Sequence, residues 1–179
     1  MTQMKTDEPG MIWVKTDMPA DESGFVVTLE TDDDTARILT PADALNHASG
    51  ILAAVARAEY DAAVLKQMTQ GLDLPLEAAG QMVGDMRADR PPLDPAMTAP
   101  IELTPGVNAN LEPFLMLSLH GALVGQWTMA DARSHALAVI EAATVADLDS
   151  AYYRTLLSTV GIDKGRARRT IDDLVNYRP

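Results

Sequence analysis

Aspartate and histidine stand four residues apart twice in this chain, as Asp43 with His47 and as Asp131 with His135. On a helix that spacing sets both side chains on one face. A carboxylate so placed can orient an imidazole or raise its pKa. Two such pairs brought together by a twofold would offer a divalent metal four ligands. The plainer account, and the favoured one, is a helix-surface or interface pair kept through a duplication. The remaining histidine, His120, falls in a hairpin turn and is not spaced as a further ligand.

Two other clusters could carry chemistry. "ETDDDT" at Glu30–Thr35 gathers carboxylates, but without the ligand alternation of an EF-hand loop it reads as a solvated turn. "DKGRARR" crowds Lys164, Arg166, Arg168 and Arg169 at the start of a helix, where cations oppose the helix dipole. Those four bases are interaction candidates for an anionic ligand or an acidic partner, or they answer the acidic surface of the first half. Glu59 and Asp61 recur as Asp147 and Asp149, but residues two apart on a helix diverge, a poor start for paired-carboxylate catalysis. No phosphate-binding glycine loop, G-x-S-x-G elbow or H-E-x-x-H is present. An enzyme is therefore the less favoured class, and no cofactor is expected.

The elements that must position these residues come in two sets. "TPADALNHA" from Thr40 returns as "TMADARSHA" from Thr128, and residues 40–66 match 128–154 without a gap at ten of 27 positions. Six of the ten are Ala, and the others are Thr40/Thr128, Asp43/Asp131, His47/His135 and Asp61/Asp149. Upstream, each copy reads as three strands: "MIWVKT", "FVVTLE" and "ARIL" in the first, "PIELT", "FLMLSL" and "LVGQW" in the second. Gly121 supplies positive φ to the second hairpin. Thr40 and Thr128 are N-caps, Pro41 suits the first helical position, and Asp43 and Asp131 suit the positive helix end. The long helices run to near Met68 and Leu157 and stop at Gly71 and Gly161. Shorter helices follow, capped by Asp73 and Asp163.

The expected fold is thus α+β. It is a tandem duplication in which each repeat is a three-stranded antiparallel sheet, a long helix and a shorter helix (βββαα twice), related by a pseudo-twofold. The boundaries are a frayed N-terminus at 1–10, repeat 1 at 11–88, a Pro-rich linker at 89–99 and repeat 2 at 100–179. Ala44, Ala48, Ile51, Val55, Ala58, Ala62 and Leu65 form a seam at alternating spacings of four and three. Copy two gives Ala132, Ala136, Val139, Ala143, Ala146, Ser150 and Tyr153. Such a seam fits the other copy's helix, or the same helix of a second chain in a homodimer. It would equally cover its own sheet.

The net charge of −12 argues against nucleic-acid binding, which needs a cationic face. The charge is uneven: residues 1–88 hold 15 acids against 6 bases, residues 89–179 hold 11 against 8. With no Cys, disulfides and thiolate chemistry are excluded. No signal-like stretch or membrane-length apolar run occurs, so the expected compartment is the cytoplasm.

The run "ADALNHASGILAAVARAEYDAAVLKQM" at 42–68, with Arg outnumbering Lys ten to four, resembles small accessory proteins of phages that infect actinobacteria. The resemblance rests on composition and covers mainly the two long helices. It implies binding to a host protein, in the host cytoplasm, with an inhibitory effect. The expectation is then a non-catalytic, acidic protein-binding module. The alternatives are a metal-dependent enzyme using the Asp–His pairs and a structural or assembly component.

Overall fold

The computed structural model describes residues 12–19, 24–31, 37–99, 101–119 and 121–175. It is α+β, with two separate antiparallel sheets of three strands each. The first holds β1 (Trp13–Asp17), β2 (Val26–Glu30) and β3 (Arg37–Leu39) in that order. Helix α1 (Pro41–Lys66) and α2 (Leu76–Ala88) follow, then a one-turn helix α3 (Pro95–Thr98). The second sheet holds β4 (Ile101–Val107), β5 (Pro113–Leu119) and β6 (Ala122–Thr128), and α4 (Met129–Thr155) and α5 (Lys164–Val175) close the chain.

Strand alternation sets which side chains enter the core. Val27 and Leu29 point inward from β2, and Leu115 and Leu117 from β5, while their neighbours lie nearer the surface. The register places Thr16 opposite Val27 and Leu103 opposite Leu117. β4 runs to Val107, through residues expected to be loop. Pro105 is tolerated because β4 is an edge strand, where a missing N–H breaks no inner ladder. At Gly106 the Phe114 ring lies where a Cβ would sit, so any side chain there would clash with it. The acidic turn Asp32–Asp34 and His120 lie outside the described residues.

Both long helices begin as expected. The Thr40 hydroxyl accepts from the Asp43 amide at 3.1 Å with Pro41 in the first turn. Thr128 and Asp131 form a reciprocal capping box. Each helix then continues into a π-helical turn, Gln67–Gly71 and Leu156–Val160. Thr69 and Ser158 bond back to the carbonyls of Leu65 and Arg154, a contact that competes with the regular ladder. Gly161 ends the second run in the left-handed region, as expected. The first run ends differently: the positive φ falls on Asp73, so Pro75 rather than Asp73 stands at the N-cap of α2. Asp163 does cap α5, accepting from the Arg166 amide at 3.0 Å.

The alanine seam meets the other long helix. Ala44, Ala48 and Ala58 of α1, and Ala132, Ala136 and Ala146 of α4, are all fully buried in one core. Small side chains let two helix axes approach closely. The sheets are exchanged. α1 lies mainly against β4 and β5, and α4 mainly against β1 and β2. The reading in which each seam covers its own sheet is thus corrected: the helix pair occupies that stripe, and each sheet crosses to the opposite helix. A satellite cluster of Leu65, Ala79 and Val83 seats α2. The linker also carries structure, because Asp94 caps α3 through the Ala96 amide at 2.9 Å.

Candidate functional site

The two histidines that stand 88 residues apart in the sequence converge. Nearly two turns into each long helix, His47 and His135 sit with ring centroids 6.3 Å apart, edge toward face at 76°. Trp127, at the end of β6, lies 4.9 Å from the His135 ring. His47 is fully buried, and its Nδ1 is 3.2 Å from the Met97 carbonyl of α3. A carbonyl only accepts, so Nδ1 carries the proton and Nε2 the lone pair. Neither Nε2 has a hydrogen-bond partner among the described residues.

Burial lowers both pKa values to about 4. For His47, desolvation dominates, the Arg37 guanidinium adds to it, and the Met97 carbonyl opposes it. For His135, desolvation is followed by the neighbouring His47. Both rings are therefore neutral at pH 7. The two aspartates do not join them. Asp43 and Asp131 are exposed, and each accepts a hydrogen bond from the hydroxyl of its capping threonine at 2.7 Å. Their carboxylates serve the helix ends, which explains both recurrences without an Asp–His relay. Among the described residues no three His, Cys, Asp or Glu side chains gather where a metal could be held.

The basic run on α5 is spread over its surface. Arg168 reaches within 3.9 Å of Asp17 on β1, tying the second half to the first sheet. Lys164, Arg166 and Arg169 are exposed, and Lys164 makes an interaction of its own.

A constellation that the sequence reading missed lies where α1 meets the end of α2. Asp61, 1% exposed, accepts a hydrogen bond from Arg87 Nε and is ion-paired with Arg90 Nη2, at 2.6 Å each. Arg90 also lies over the Tyr60 ring, 4.9 Å from its centroid. Arg57, one turn before Asp61, joins them in a cleft of about 210 Å³ closed by Thr104 and Pro105 of β4. The signals were the i,i+4 spacing of Arg57 and Asp61 and the recurrence of Asp61 as Asp149, which is also buried. A second cleft of about 380 Å³ lies between the start of β2, the N-terminus of α1 and the far end of α4. Tyr153 lines it, and its buried hydroxyl has no hydrogen-bond partner among the described residues.

No family model matches the chain, and no curated protein or solved structure matches it either. None of the described helices is long and apolar enough to cross a membrane.

Proposed function

We propose that this chain is a non-catalytic binding module that takes another protein on the outer face of α4. The supporting observation is a row of large apolar side chains left in water on that face. Leu137 is 62% exposed and Leu148 63%. Tyr152 follows one turn later, so all three fall on one helix face. Leu148 and Tyr152 are neighbours and Leu137 stands three turns earlier on the same face, and exposed apolar groups aligned in this way can form part of an interaction surface. The surrounding charge is acidic, from Glu141 and Asp147, so the partner is an apolar patch with a basic rim.

The wider frame is an internal duplication with the copies in a pseudo-twofold. Its support is that β1 and β4, α1 and α4, and α2 and α5 begin at the same 88-residue offset, and that His47 meets His135. The compositional likeness to phage accessory proteins fits a host factor as the partner, bound in the host cytoplasm. The metal-dependent alternative gains nothing from geometry, because the two aspartates are engaged as caps.

The test is quantitative capture with wild-type protein and with a Leu137→Lys/Leu148→Lys variant whose circular dichroism is unchanged. A specific partner that binds the wild type and is weakened at least about ten-fold by the variant supports the reading. A partner held equally by both, or no specific partner, overturns it.

A further inference from the structure

We infer that the cleft between α1, the end of α2 and β4 is a binding site for a compact oxyanion carrying two negative charges, a phosphate group in free or esterified form. The argument starts from charge. Three guanidinium groups, Arg57, Arg87 and Arg90, line the cleft around one carboxylate, Asp61. One carboxylate balances one arginine, so two positive charges remain in a protein of net charge −12. The nearest acid on the helix does not supply the balance: Glu59 is taken by Arg133 through two bonds of 2.6 and 2.7 Å.

Donor geometry agrees. Asp61 engages one nitrogen of each arginine, Nε of Arg87 and Nη2 of Arg90. Each guanidinium has five N–H donors in a rigid fork that matches phosphate oxygens two at a time. The buried carboxylate fixes where Arg87 and Arg90 stand, and the Arg90 guanidinium also lies over the Tyr60 ring. Arg57 makes no ion pair among the described residues and lines the same cleft. The site is therefore organised before any ligand arrives, which reduces the ordering cost of binding. Its volume, about 210 Å³, is below the range of sites for larger organic ligands and suits a phosphate with at most a small substituent.

Comparison with the other half separates this from a purely structural network. The equivalent carboxylate, Asp149, is also buried, at 4% exposure. Yet valines, Val145 and Val175, stand in sequence where the first half has Arg57 and Arg87. An aspartate is therefore buried at this point of the second long helix without counterparts of Arg57 and Arg87, although Arg90 is matched in sequence by Arg178 and Asp149 makes an interaction of its own. Arg57 and Arg87 are an addition of the first half.

The experiment measures thermal stability of the intact chain at pH 7.5 in sodium phosphate, against sodium chloride of equal ionic strength. Wild type should gain about 3 °C at phosphate near ten times Kd, with no matching gain in chloride. Phenyl phosphate in a parallel arm distinguishes an esterified ligand from the free ion: a gain in both arms indicates a monoester site, a gain with phosphate alone the free anion. Arg57→Gln, which leaves the Asp61 pairs intact, should keep the unliganded Tm and weaken phosphate binding at least about ten-fold by calorimetry. No phosphate-specific gain in either arm, or an equal gain in Arg57→Gln, would overturn the inference.

Discussion

The two halves of the molecule share an order of elements and differ in how they finish it. The first sheet has strands of five, five and three residues; the second has three strands of seven. The second long helix opens on a full capping box and its run closes on a left-handed glycine. The first opens with Pro41, and its run closes with the positive φ displaced to Asp73. What the halves hold in common sits at the helix pair: Ala44/Ala132, Ala48/Ala136, Ala58/Ala146, the two histidines and the two buried aspartates. What divides them sits at the edges, where Arg57 and Arg87 answer to Val145 and Val175 and Gly50 to Ala138. Residues at a shared seam must fit each other, so neither side of it can change alone. Residues at the rim are free of that constraint and can acquire separate tasks.

If the seam is common property, damage on either side must bring down both halves. Ile51 and Val139 are equivalent and fully buried. Ile51→Ala should lower stability by about 3 kcal/mol, and Val139→Ala by somewhat less because fewer methyl groups are lost. The chain carries one Trp in each sheet, Trp13 in β1 and Trp127 in β6, so each half has its own reporter. In urea, Trp13→Phe and Trp127→Phe backgrounds should give coincident transitions for each alanine variant. Two separated transitions would show that the halves are independent bodies and would break the comparison at its base.

The histidine pair gives the next effect, which depends on pH. Both rings have folded pKa values near 4 against 6.5 in the unfolded chain. Between those values the unfolded state binds protons that the folded state refuses. Stability from this source is therefore complete above pH 6.5 and falls as pH drops toward 4. Each ring contributes at most about 3 kcal/mol over that window, less where water reaches the site. Urea midpoints measured from pH 7.5 to 4.5 should fall steeply, and His47→Gln should flatten the slope by roughly half. A slope unchanged in that variant would place the acid sensitivity elsewhere.

How much of this was legible in the sequence depends on the range of the interaction. Caps, strand patterns and the 88-residue offset are local or periodic signals: they placed Thr40 and Thr128 at helix starts and Val27 and Leu115 in strands, while which of the strand residues face the core came from the fold. The convergence of His47 with His135 followed from the seam only in outline, because a stripe of alanines fits a helix and a sheet equally well. The exchange of sheets between helices left no local mark. The arginine cluster left only the i,i+4 spacing of Arg57 and Asp61, because Arg87 and Arg90 approach Asp61 from 26 and 29 positions away in the chain. Asp43 and Asp131 were misleading for a physical reason: a carboxylate three residues after a threonine serves a helix cap as readily as it orients a histidine.

The smallest effect sharpens the comparison at Gly50. A Cβ there would lie 2.8 Å from Thr98 Cγ2 and 2.9 Å from Met97 Cβ, closer than side chains approach. The missing side chain admits α3, and with it the Met97 carbonyl that binds His47. Ala138, at the equivalent place on α4, is exposed. Opposite substitutions should therefore both destabilise. Ala138→Gly loses about 1 kcal/mol of helix propensity with no packing change. Gly50→Ala gains that propensity but displaces α3, for a net loss of about 1 kcal/mol. The two losses should differ in kind. Gly50→Ala should also shrink the loss of stability between pH 6.5 and 4, because a shifted α3 lets water reach His47, weakens the desolvation that holds it neutral and moves its folded pKa back toward 6.5. Ala138→Gly should leave that profile unchanged. Equal pH profiles for the two variants would mean that α3 is not what seals the histidine pair.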